Sequence, residues 1–362
     1  MPSRLIQIVP HLPPTMSGVG DYAVLLAEEL RRAHNVDTSF VIGNRDWNGP
    51  AAASGFRVRR LEARTAGSLV GALGEEPSAG ASVLLQYSGY SFQKRGCPFW
   101  LVRGLEKWRR AGEGRWLATM FHELYASGPM WASSFWTSLL QRNLAARLAW
   151  LSDRCWTNRR RSADELGRLA SRHQSLVEVM PVFSNFGEPK VSSPLRERPA
   201  QAVMFGTFGR AVRNPAQGQA ATSRACRLLG VEKLVIVGGG EVQLNGGKLA
   251  IERVASLSAE QAAQLLGQSR AGLLDYFDGY LGKSGIFAAY CSHGLAPVLL
   301  APNDSRADGV HAGEHFLVAE LLAGELPVAD QQRIADAARH WYSGHDLTRT
   351  AKAVATALRP ES

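Results

Sequence analysis

The chain has 362 residues, of which 45% are hydrophobic and 20% are charged, a balance typical of a soluble globular protein with two domains. It contains no run of about 18 apolar residues and begins without a signal-peptide pattern, so neither a membrane-spanning helix nor secretion is expected. Its four cysteines are scattered and form no CxxC motif, which argues for a reducing compartment and against structural zinc. We therefore expect a cytoplasmic protein.

The net charge of +9 is unevenly distributed along the chain. Residues 1–190 carry 24 Lys and Arg against 16 Asp and Glu, whereas residues 191–362 carry 17 against 16. A basic surface attracts nucleic acid, anionic lipid or an acidic substrate, although an arginine-rich composition alone also produces one. No nucleic-acid-binding motif accompanies the charge, so we expect no nucleic-acid partner. A peripheral contact of the basic half with the inner face of a membrane stays open.

The N-terminal half alternates strands and helices, as in a doubly wound parallel sheet. The first strand, Arg4–Val9, leads into a loop with Gly18 and Gly20, where the backbone can approach a ligand closely. The elements predicted after this loop are helices over Asp21–Ala33, Phe99–Arg110, Trp131–Ser152 and Ser162–Arg172, and strands over Val36–Gly43, Ser82–Tyr87, Arg115–Phe121, Arg154–Asn158 and Leu176–Pro181.

Ligands of open α/β sheets bind at the carboxyl ends of the strands. The residues predicted to lie there are His11, Gly18, Gly20, Tyr87, Tyr90, His122 and Asn158. The loop after the Ser82–Tyr87 strand adds Lys94 and Arg95 to its tyrosines, a combination suited to a sugar face or a lipid diphosphate. A purely structural loop is the alternative.

Residues 186–201 are rich in proline and charge and lack periodicity, so we predict a linker between two domains. A second α/β pattern follows it. The predicted strands are Ala202–Phe208, Lys233–Val237 and Ala296–Leu300, and the predicted helices are Ala216–Leu229, Ser258–Gln268 and Asp330–Leu358, the last broken near Ser343.

The stretch Leu273–Leu300 has the pattern strand, glycine-rich turn, helix and strand. Lys283, Ser284 and Gly285 lie where its helix is predicted to begin. Free N–H groups and the helix dipole favour an anion at a helix start, and the lysine adds positive charge. We therefore predict a phosphate or diphosphate site, with an ordinary N-capped turn as the alternative. A P-loop is excluded, because Phe277 stands where that motif needs a glycine.

Four segments, in the same order along the chain, resemble the GT-B glycosyltransferases, and among them the retaining bacterial "group 1" enzymes of family 4. They are PxxSGVGDYAxxLAxxL at Pro14–Leu30, FHEL at Phe121–Leu124, GTFGRAVR at Gly206–Arg213 and DGYLGKSGIFAAYCSHGLAPV at Asp278–Val298. The resemblance implies an α/β protein with two Rossmann-like domains facing a central cleft. Residues 1–185 would bind the acceptor and residues 202–344 the nucleotide sugar, with a terminal helix, 345–362, packed back on the first domain.

The resemblance also implies the chemistry, which is retaining, metal-independent hexosyl transfer from a nucleotide-diphosphate sugar, UDP- or GDP-linked, to a saccharide or lipid-linked acceptor. No DxD motif is present, and we expect no further cofactor. Catalytic roles fall on His122, Asp278, Arg210 and Lys283. Donor contacts fall on Gly18, Gly20, Gly209, Arg210, Arg213, Lys283, Ser284 and Gly285. Acceptor contacts fall on Tyr87, Tyr90, Lys94 and Arg95.

Three positions depart from the family pattern. Asp278 roughly matches the first of the family's two glutamates, and the second, which usually holds the ribose, falls near Ile286 or Phe287, both apolar. The family's lysine after the "GRL" turn has no exact equivalent, and Arg213 is the nearest cation. Retention and the identity of the nucleotide are therefore open. Two alternatives accompany the transferase hypothesis: a nucleotide-sugar epimerase of the same fold, and a non-catalytic protein that binds a nucleotide or a partner.

Overall fold

The computed structural model describes residues 3–15, 17–44, 46–74, 82–125, 133–170, 177–206, 208, 211–212, 214–238, 249–301 and 308–358. The chain folds into two compact units. The N-terminal unit comprises Met1–Pro181 with Leu347–Ser362, and the C-terminal unit comprises Val182–Asp346. Residues 186–201, expected to form a linker, are grouped with the C-terminal unit.

The N-terminal unit is built on a sheet covered by helices. Its strands are β1 (Ser3–Val9), β2 (Val36–Ile42), β3 (Ala52–Ala53), β4 (Phe56–Arg60), β5 (Ser82–Ser88), β6 (Trp116–Glu123), β7 (Arg154–Thr157) and β8 (Val177–Val179). Its helices are α1 (Gly18–His34), α2 (Ala66–Gly74), α3 (Gly89–Phe92), α4 (Phe99–Arg110), α5 (Ser133–Leu151), α6 (Arg160–Leu169) and α11 (Leu347–Ala357). Within the described residues the strand order is β3-β4-β2-β1-β5-β6-β7-β8, and the ladder is parallel apart from the short β3–β4 pair.

The central strands of this unit are apolar because helices cover both faces of a parallel sheet. Leu85, Leu101 and Leu117 belong to one buried cluster, and Phe40 and Phe56 to another. This packing fixes the carboxyl ends of the strands, where the candidate site lies.

Helix α11 packs on α1 and completes the N-terminal unit. Ala351 and Val354 are buried in it, and Thr348 Oγ1 donates a hydrogen bond to Glu29 Oε1 at 3.3 Å. Glu29 also pairs with Arg32 at 2.7 Å, and this hydrogen bond lowers the pKa of the Glu29 carboxyl. The last helix of the chain, which follows the C-terminal unit in sequence, therefore packs on the first helix.

The C-terminal unit repeats the same architecture. Its strands are β9 (Gln201–Phe205), β10 (Lys233–Val237), β11 (Ala250–Val254), β12 (Ala271–Leu274), β13 (Ala296–Leu299) and β14 (Leu317–Val318). Its helices are α7 (Pro215–Leu228), α8 (Ala259–Gln268), α9 (Gly285–Ser292) and α10 (Val328–Tyr342). Among the described residues the strand order is β11-β10-β9-β12-β13-β14, with parallel pairing, around a core that includes Met204, Leu234 and Leu273.

The longer predicted elements are confirmed. Helix α4 and strand β10 have the predicted bounds. The predicted cap of α8 is a capping box, in which Ser258 Oγ accepts from the Gln261 N–H at 3.2 Å and Gln261 Oε1 accepts from the Ser258 N–H at 2.9 Å. Helix α2 and the short strands β3, β4, β11 and β14 were not predicted, because such short segments carry little periodicity.

In the part of the chain that the structure covers, no helix combines the length and the apolarity needed to cross a bilayer.

Gly20→Ala should destabilise the N-terminal unit, because a Cβ at this position would lie 2.7 Å from the backbone oxygen of His11. Overpacking of this kind typically costs about 1–3 kcal/mol. Gly18→Ala is the matched control, since a Cβ there meets no atom within 4 Å. Urea unfolding compares the two variants with the unchanged protein, and a Gly20→Ala protein as stable as the Gly18→Ala protein would contradict the expectation.

Candidate functional site

His122 lies near the carboxyl end of β6, where the pairing of β5 with β6 is interrupted. Tyr87 pairs with Phe121, but the next residue of β5, Ser88, pairs with Glu123, so His122 is passed over. A bulge of this kind re-aims a side chain and is common beside active sites. The imidazole packs edge-on against the ring of Tyr22 of α1, with centroids 5.2 Å apart. The bulge and this ring together set its direction.

A chain of buried hydrogen bonds fixes the tautomer of His122. Gln7 Nε2 donates at 3.2 Å to Ala23 O, which can only accept, so the Gln7 amide oxygen is the atom that faces Gln86. Gln86 Nε2 donates to that oxygen at 2.8 Å, and Gln86 Oε1 lies 2.8 Å from His122 Nε2. Because an amide oxygen can only accept, Nε2 of His122 must carry a proton. In the neutral ring, Nδ1 is then the acceptor.

Gln7 and Gln86 are the functional candidates that the sequence analysis missed. Both are fully buried. Each interrupts an otherwise apolar stretch of a central strand, Leu5–Val9 and Val83–Leu85 with Tyr87 beyond. A buried amide is costly unless its partners are supplied, so a polar residue inside such a strand is the signal that would have found them.

A second polar cluster lies at the carboxyl ends of β1, β2 and β4. Asn44 Nδ2 lies 3.3 Å from both ring nitrogens of His11, and Asn44 Oδ1 accepts from Arg64 Nη2 at 2.5 Å. Burial lowers the pKa of His11, and the positive charge of Arg64 lowers it further, whereas Asp46 raises it. His11 is therefore neutral near pH 7, and Arg64 supplies the positive charge of this cluster.

The two glycines predicted to face a ligand have different roles. Ser17 caps α1, its Oγ accepting from the Gly20 N–H at 3.3 Å. Gly20 is also held closely against His11 O, so it serves the geometry of the loop. Gly18 is exposed, with open space at its Cβ position, so its backbone is sterically accessible to a ligand.

The residues predicted to bind the acceptor separate into two groups. The structure corrects the assignment of Tyr87: its ring is fully buried and packs on Phe121 at a centroid distance of 5.5 Å, because β5 is buried along its whole length. Tyr90, Lys94 and Arg95 are exposed in the turns that follow β5. They form an aromatic and basic patch, and their role toward an acceptor stays a prediction.

Gln141 of α5 holds this patch in place. Its Nε2 lies 3.1 Å from Tyr90 Oη and 2.8 Å from Arg95 O, and it donates to both. The amide thus anchors the loop to a helix, so the exposed side chains project from a fixed backbone.

In the C-terminal unit, the turn predicted to bind phosphate joins β12 to α9. Asp278–Lys283 form a 3₁₀ helix, and Ser284 caps α9 as predicted, its Oγ accepting from the Phe287 N–H at 3.2 Å. Lys283 Nζ lies 5.5 Å from the centroid of the Tyr280 ring. All residues of α9 are described, and none in its first turn is acidic. This helix start therefore offers an anion backbone N–H groups and a nearby cation, with no carboxylate of that turn opposing it.

Asp275 fastens a second loop to this turn. It is buried just after β12, and its Oδ1 accepts from the N–H groups of Ala211 and Val212 at 2.8 and 2.9 Å. Since β9 and β12 are neighbours in the sheet, the loop after β9 reaches the end of β12. The donor residues predicted in that loop, Gly209, Arg210 and Arg213, lie outside the described residues, and their contacts stay predictions.

Asp278 and the position of the family's second glutamate take local roles in the structure. Asp278 Oδ1 accepts from the adjacent Gly279 N–H at 2.6 Å, so it shapes the turn, and a contact with sugar hydroxyls stays a prediction. Ile286 is half-buried, and Phe287 is fully buried with its ring 5.6 Å from that of Trp341. An apolar core contact therefore occupies the place where the family carries a carboxylate.

No family model and no curated protein matches the chain, but solved structures match it along nearly its whole length. A protein described as a UDP-N-acetylglucosamine 2-epimerase from Listeria monocytogenes has a TM-score of 0.62 at 13% identity, covering 99% of this chain and 96% of that one. An E. coli trehalose-6-phosphate structure with bound UDP-2-fluoro glucose has a TM-score of 0.63 at 10% identity, covering 99% and 100%. An alpha-glucosyltransferase in complex with UDP has a TM-score of 0.56 at 9% identity, covering 98% and 99%.

The chain has the GT-B fold. The predicted fold class is thereby confirmed. At identities this low the similarity concerns the fold, and the narrower resemblance to family 4 rests on the sequence segments alone. Within this GT-B chain, His122 lies in the first Rossmann-like unit and Lys283 in the second.

Gln7→Leu and Gln86→Leu should each destabilise this GT-B protein, and the double variant should cost less than the sum of the two. A single change leaves a buried amide without its partner, which costs about 1–3 kcal/mol, whereas the double change removes both amides. Urea unfolding of the four proteins measures the coupling free energy.

Gln331→Leu supplies the control for this double-mutant comparison. Gln331 is a fully buried glutamine of the C-terminal unit, and it donates to Leu229 O and Leu326 O. It shares no partner with Gln86, so Gln86→Leu and Gln331→Leu should add. Additive effects of Gln7→Leu and Gln86→Leu would show that the two amides are not coupled and would contradict the hydrogen-bond chain.

Proposed function

We propose that the chain is a glycosyltransferase that moves a hexosyl group from a UDP-linked sugar to a saccharide or lipid-linked acceptor, in the synthesis of a polysaccharide or glycoconjugate. One observation carries the proposal. In a GT-B fold matched over almost the whole chain, α9 begins beyond the carboxyl end of β12, directly after Lys283 and Ser284, and has no acidic residue in its first turn. The matched proteins that hold UDP or a UDP-sugar favour uridine over guanosine as the nucleoside.

The turn between β12 and α9 is proposed to stabilise the departing diphosphate. Sugar transfer develops negative charge on this leaving group, and preorganised donors aimed at such charge lower the barrier. Lys283 and the Gly285 N–H would supply donors of this kind, whereas the Ser284 N–H already donates to Leu281 O at 3.0 Å. Arg210 and Arg213, in the loop that Asp275 fastens, would add positive charge. Removing one such group typically costs about 3–4 kcal/mol in transition-state free energy.

His122 is proposed to hold a hydroxyl of the donor sugar through Nδ1. The amide chain keeps Nε2 protonated, so the neutral ring accepts a hydrogen bond at Nδ1 and can receive a sugar O–H. The backbone at Gly18 is proposed to approach the donor phosphate or the acceptor at the start of α1. Tyr90, Lys94 and Arg95 are proposed to meet the acceptor.

A nucleotide-sugar epimerase is the second candidate, favoured by the similarity to the protein described as a UDP-N-acetylglucosamine 2-epimerase. The two reactions differ in their need for an acceptor. Incubation with UDP-sugars alone, followed by chromatography of the sugar products, separates them. An epimerase converts the donor without an acceptor, a transferase forms a glycosidic product only when an acceptor is added, and a non-catalytic protein binds UDP and does neither.

UDP should bind the chain, and Lys283→Ala should weaken that binding by about 10- to 100-fold. The change removes a charge-assisted contact with phosphate, which is worth about 1.5–3 kcal/mol. Titration calorimetry measures the affinity, with GDP, ADP and TDP as alternative ligands. Lys352→Ala, at an exposed lysine of α11, is the matched control and should bind as the unchanged protein does. Equal affinity of the Lys283→Ala protein, or no binding of any of the four nucleotides, would refute this role.

His122→Ala should lower turnover about tenfold or more while leaving the affinity for UDP nearly unchanged. A residue that contacts only the sugar acts on the transition state, and about 1.4 kcal/mol of lost stabilisation is a tenfold loss of rate. His122 and Lys283 belong to different units, so the two variants separate sugar positioning from phosphate binding. A transfer assay beside a UDP titration gives both quantities, with His340→Ala, an exposed histidine of α10, as control. Unchanged turnover would remove His122 from the site.

A further inference from the structure

Helix α5 exposes large apolar side chains to solvent. Leu139 is 71% exposed, Leu140 48% and Trp150 44%, whereas Leu144 and Leu148 on its inner side are fully buried. Leu139 and Trp150 lie eleven residues apart, which is about three turns, so they project from the same side of the helix. Polar Arg142 and Asn143 lie between them, so the outer side of α5 presents large apolar side chains among polar ones, and exposed apolar groups of this size often mark an interaction surface.

Helix α4 exposes a basic stripe that begins with an aromatic residue. Phe99, Arg103, Lys107 and Arg110 are exposed, and their spacing places them on one side of the helix. Within the described residues, none of these three cations forms an ion pair, whereas Arg109 and Arg147 pair with carboxylates of the same unit. The free charge of α4 is therefore concentrated on its outer side.

The two helices lie side by side. Arg147 on α5 donates two hydrogen bonds to the Glu106 carboxylate on α4, from Nε at 2.9 Å and from Nη2 at 2.8 Å. Arg109 near the end of α4 bonds Asp153, two residues after α5, at 2.5 Å. The exposed residues of α4 and α5 thus belong to adjacent helices of one compact unit. We call this surface, made of Phe99, Arg103, Lys107 and Arg110 of α4 with Leu139, Leu140 and Trp150 of α5, the α4–α5 face.

We propose that the α4–α5 face docks on an anionic lipid bilayer. Phe99, Leu139, Leu140 and Trp150 would enter the interface between headgroups and acyl chains, while Arg103, Lys107 and Arg110 contact lipid phosphates. Tryptophan and leucine beside long cations are the composition of surfaces that lie in a membrane interface. Unpaired cations there add attraction to anionic headgroups.

The charge of the α4–α5 face favours a lipid bilayer over a protein as its binding partner. The core of a protein interface is depleted in charged residues, whereas a headgroup layer accepts cations and apolar side chains next to one another. A second copy of the chain would bring the same unpaired cations to the contact, where they repel. The inference stands independently of the proposed transfer reaction, because it concerns a surface and needs no turnover.

Co-sedimentation of the full chain with vesicles tests the proposal. The protein should bind vesicles that contain phosphatidylglycerol, should not bind vesicles of phosphatidylcholine alone, and should release in part at high salt, because ions screen surface charge. The triple variant Arg103→Glu, Lys107→Glu, Arg110→Glu should lose at least about tenfold in vesicle affinity.

A matched triple variant separates this face from the total charge. Arg227→Glu, Arg333→Glu and Lys352→Glu change the net charge equally at exposed positions of α7, α10 and α11, and this protein should bind vesicles like the unchanged one. Leu139→Gln, Leu140→Gln, Trp150→Gln should still bind at low salt but release more completely at high salt. Thermal unfolding checks that every variant is folded.

Three results would overturn the proposal. The first is equal binding to both kinds of vesicle or to neither. The second is an equal loss of affinity in the two charge variants, which would assign binding to net charge alone. The third is self-association without vesicle binding that the glutamine variant abolishes, which would assign the face to a second copy of the chain.

Discussion

A line of hydrogen bonds between buried amides crosses the middle of the first sheet and ends at His122. Central strands of parallel sheets are normally apolar, and a buried amide without partners costs free energy. Gln7 and Gln86 avoid that cost only because β1, β5 and β6 are neighbours in the observed register. The Ala23 carbonyl can only accept, so it sets the donor-to-acceptor direction of this line of hydrogen bonds at the end away from His122. The strand order, the tautomer of His122 and the packing of α1 therefore depend on one another.

The second sheet fixes its own loop with a buried carboxylate. Asp275 accepts two backbone N–H groups from Ala211 and Val212, and so ties the loop after β9 to the turn before α9. In each unit, a buried polar side chain on a central strand, or just beyond its end, thus fixes a ring or a loop at the carboxyl edge of the sheet. Rigid support of this kind suits electrostatic stabilisation, because donors already in place need no reorganisation during the reaction.

The basic residues of the N-terminal unit divide into a paired and an unpaired set. Arg109, Arg142 and Arg147 pair with Asp153, Glu165 and Glu106, and these pairs join α4, α5 and α6 to their neighbours. Ion pairs at a surface are each worth at most about 1 kcal/mol, so their main effect is to orient side chains. The excess positive charge counted along the sequence thus includes cations already neutralised within the fold. Among the described residues, Arg103, Lys107 and Arg110 on the outer side of α4 belong to the set without an ion pair, as do Lys94 and Arg95 after β5.

The amino-acid sequence by itself determined the α/β class, the bounds of α4 and β10, and the caps of α8 and α9. These features depend on periodicity and on capping residues within a few positions, so local physical chemistry suffices. It also indicated that His122 and Lys283 lie at or beyond the carboxyl ends of strands, since polar residues at strand ends are visible in the pattern. Only the tertiary structure decided that Tyr87 is buried and that Gln7 holds Gln86, 79 residues away, beside His122. Such contacts depend on which distant strands become neighbours and in which register, and no local pattern specifies that pairing.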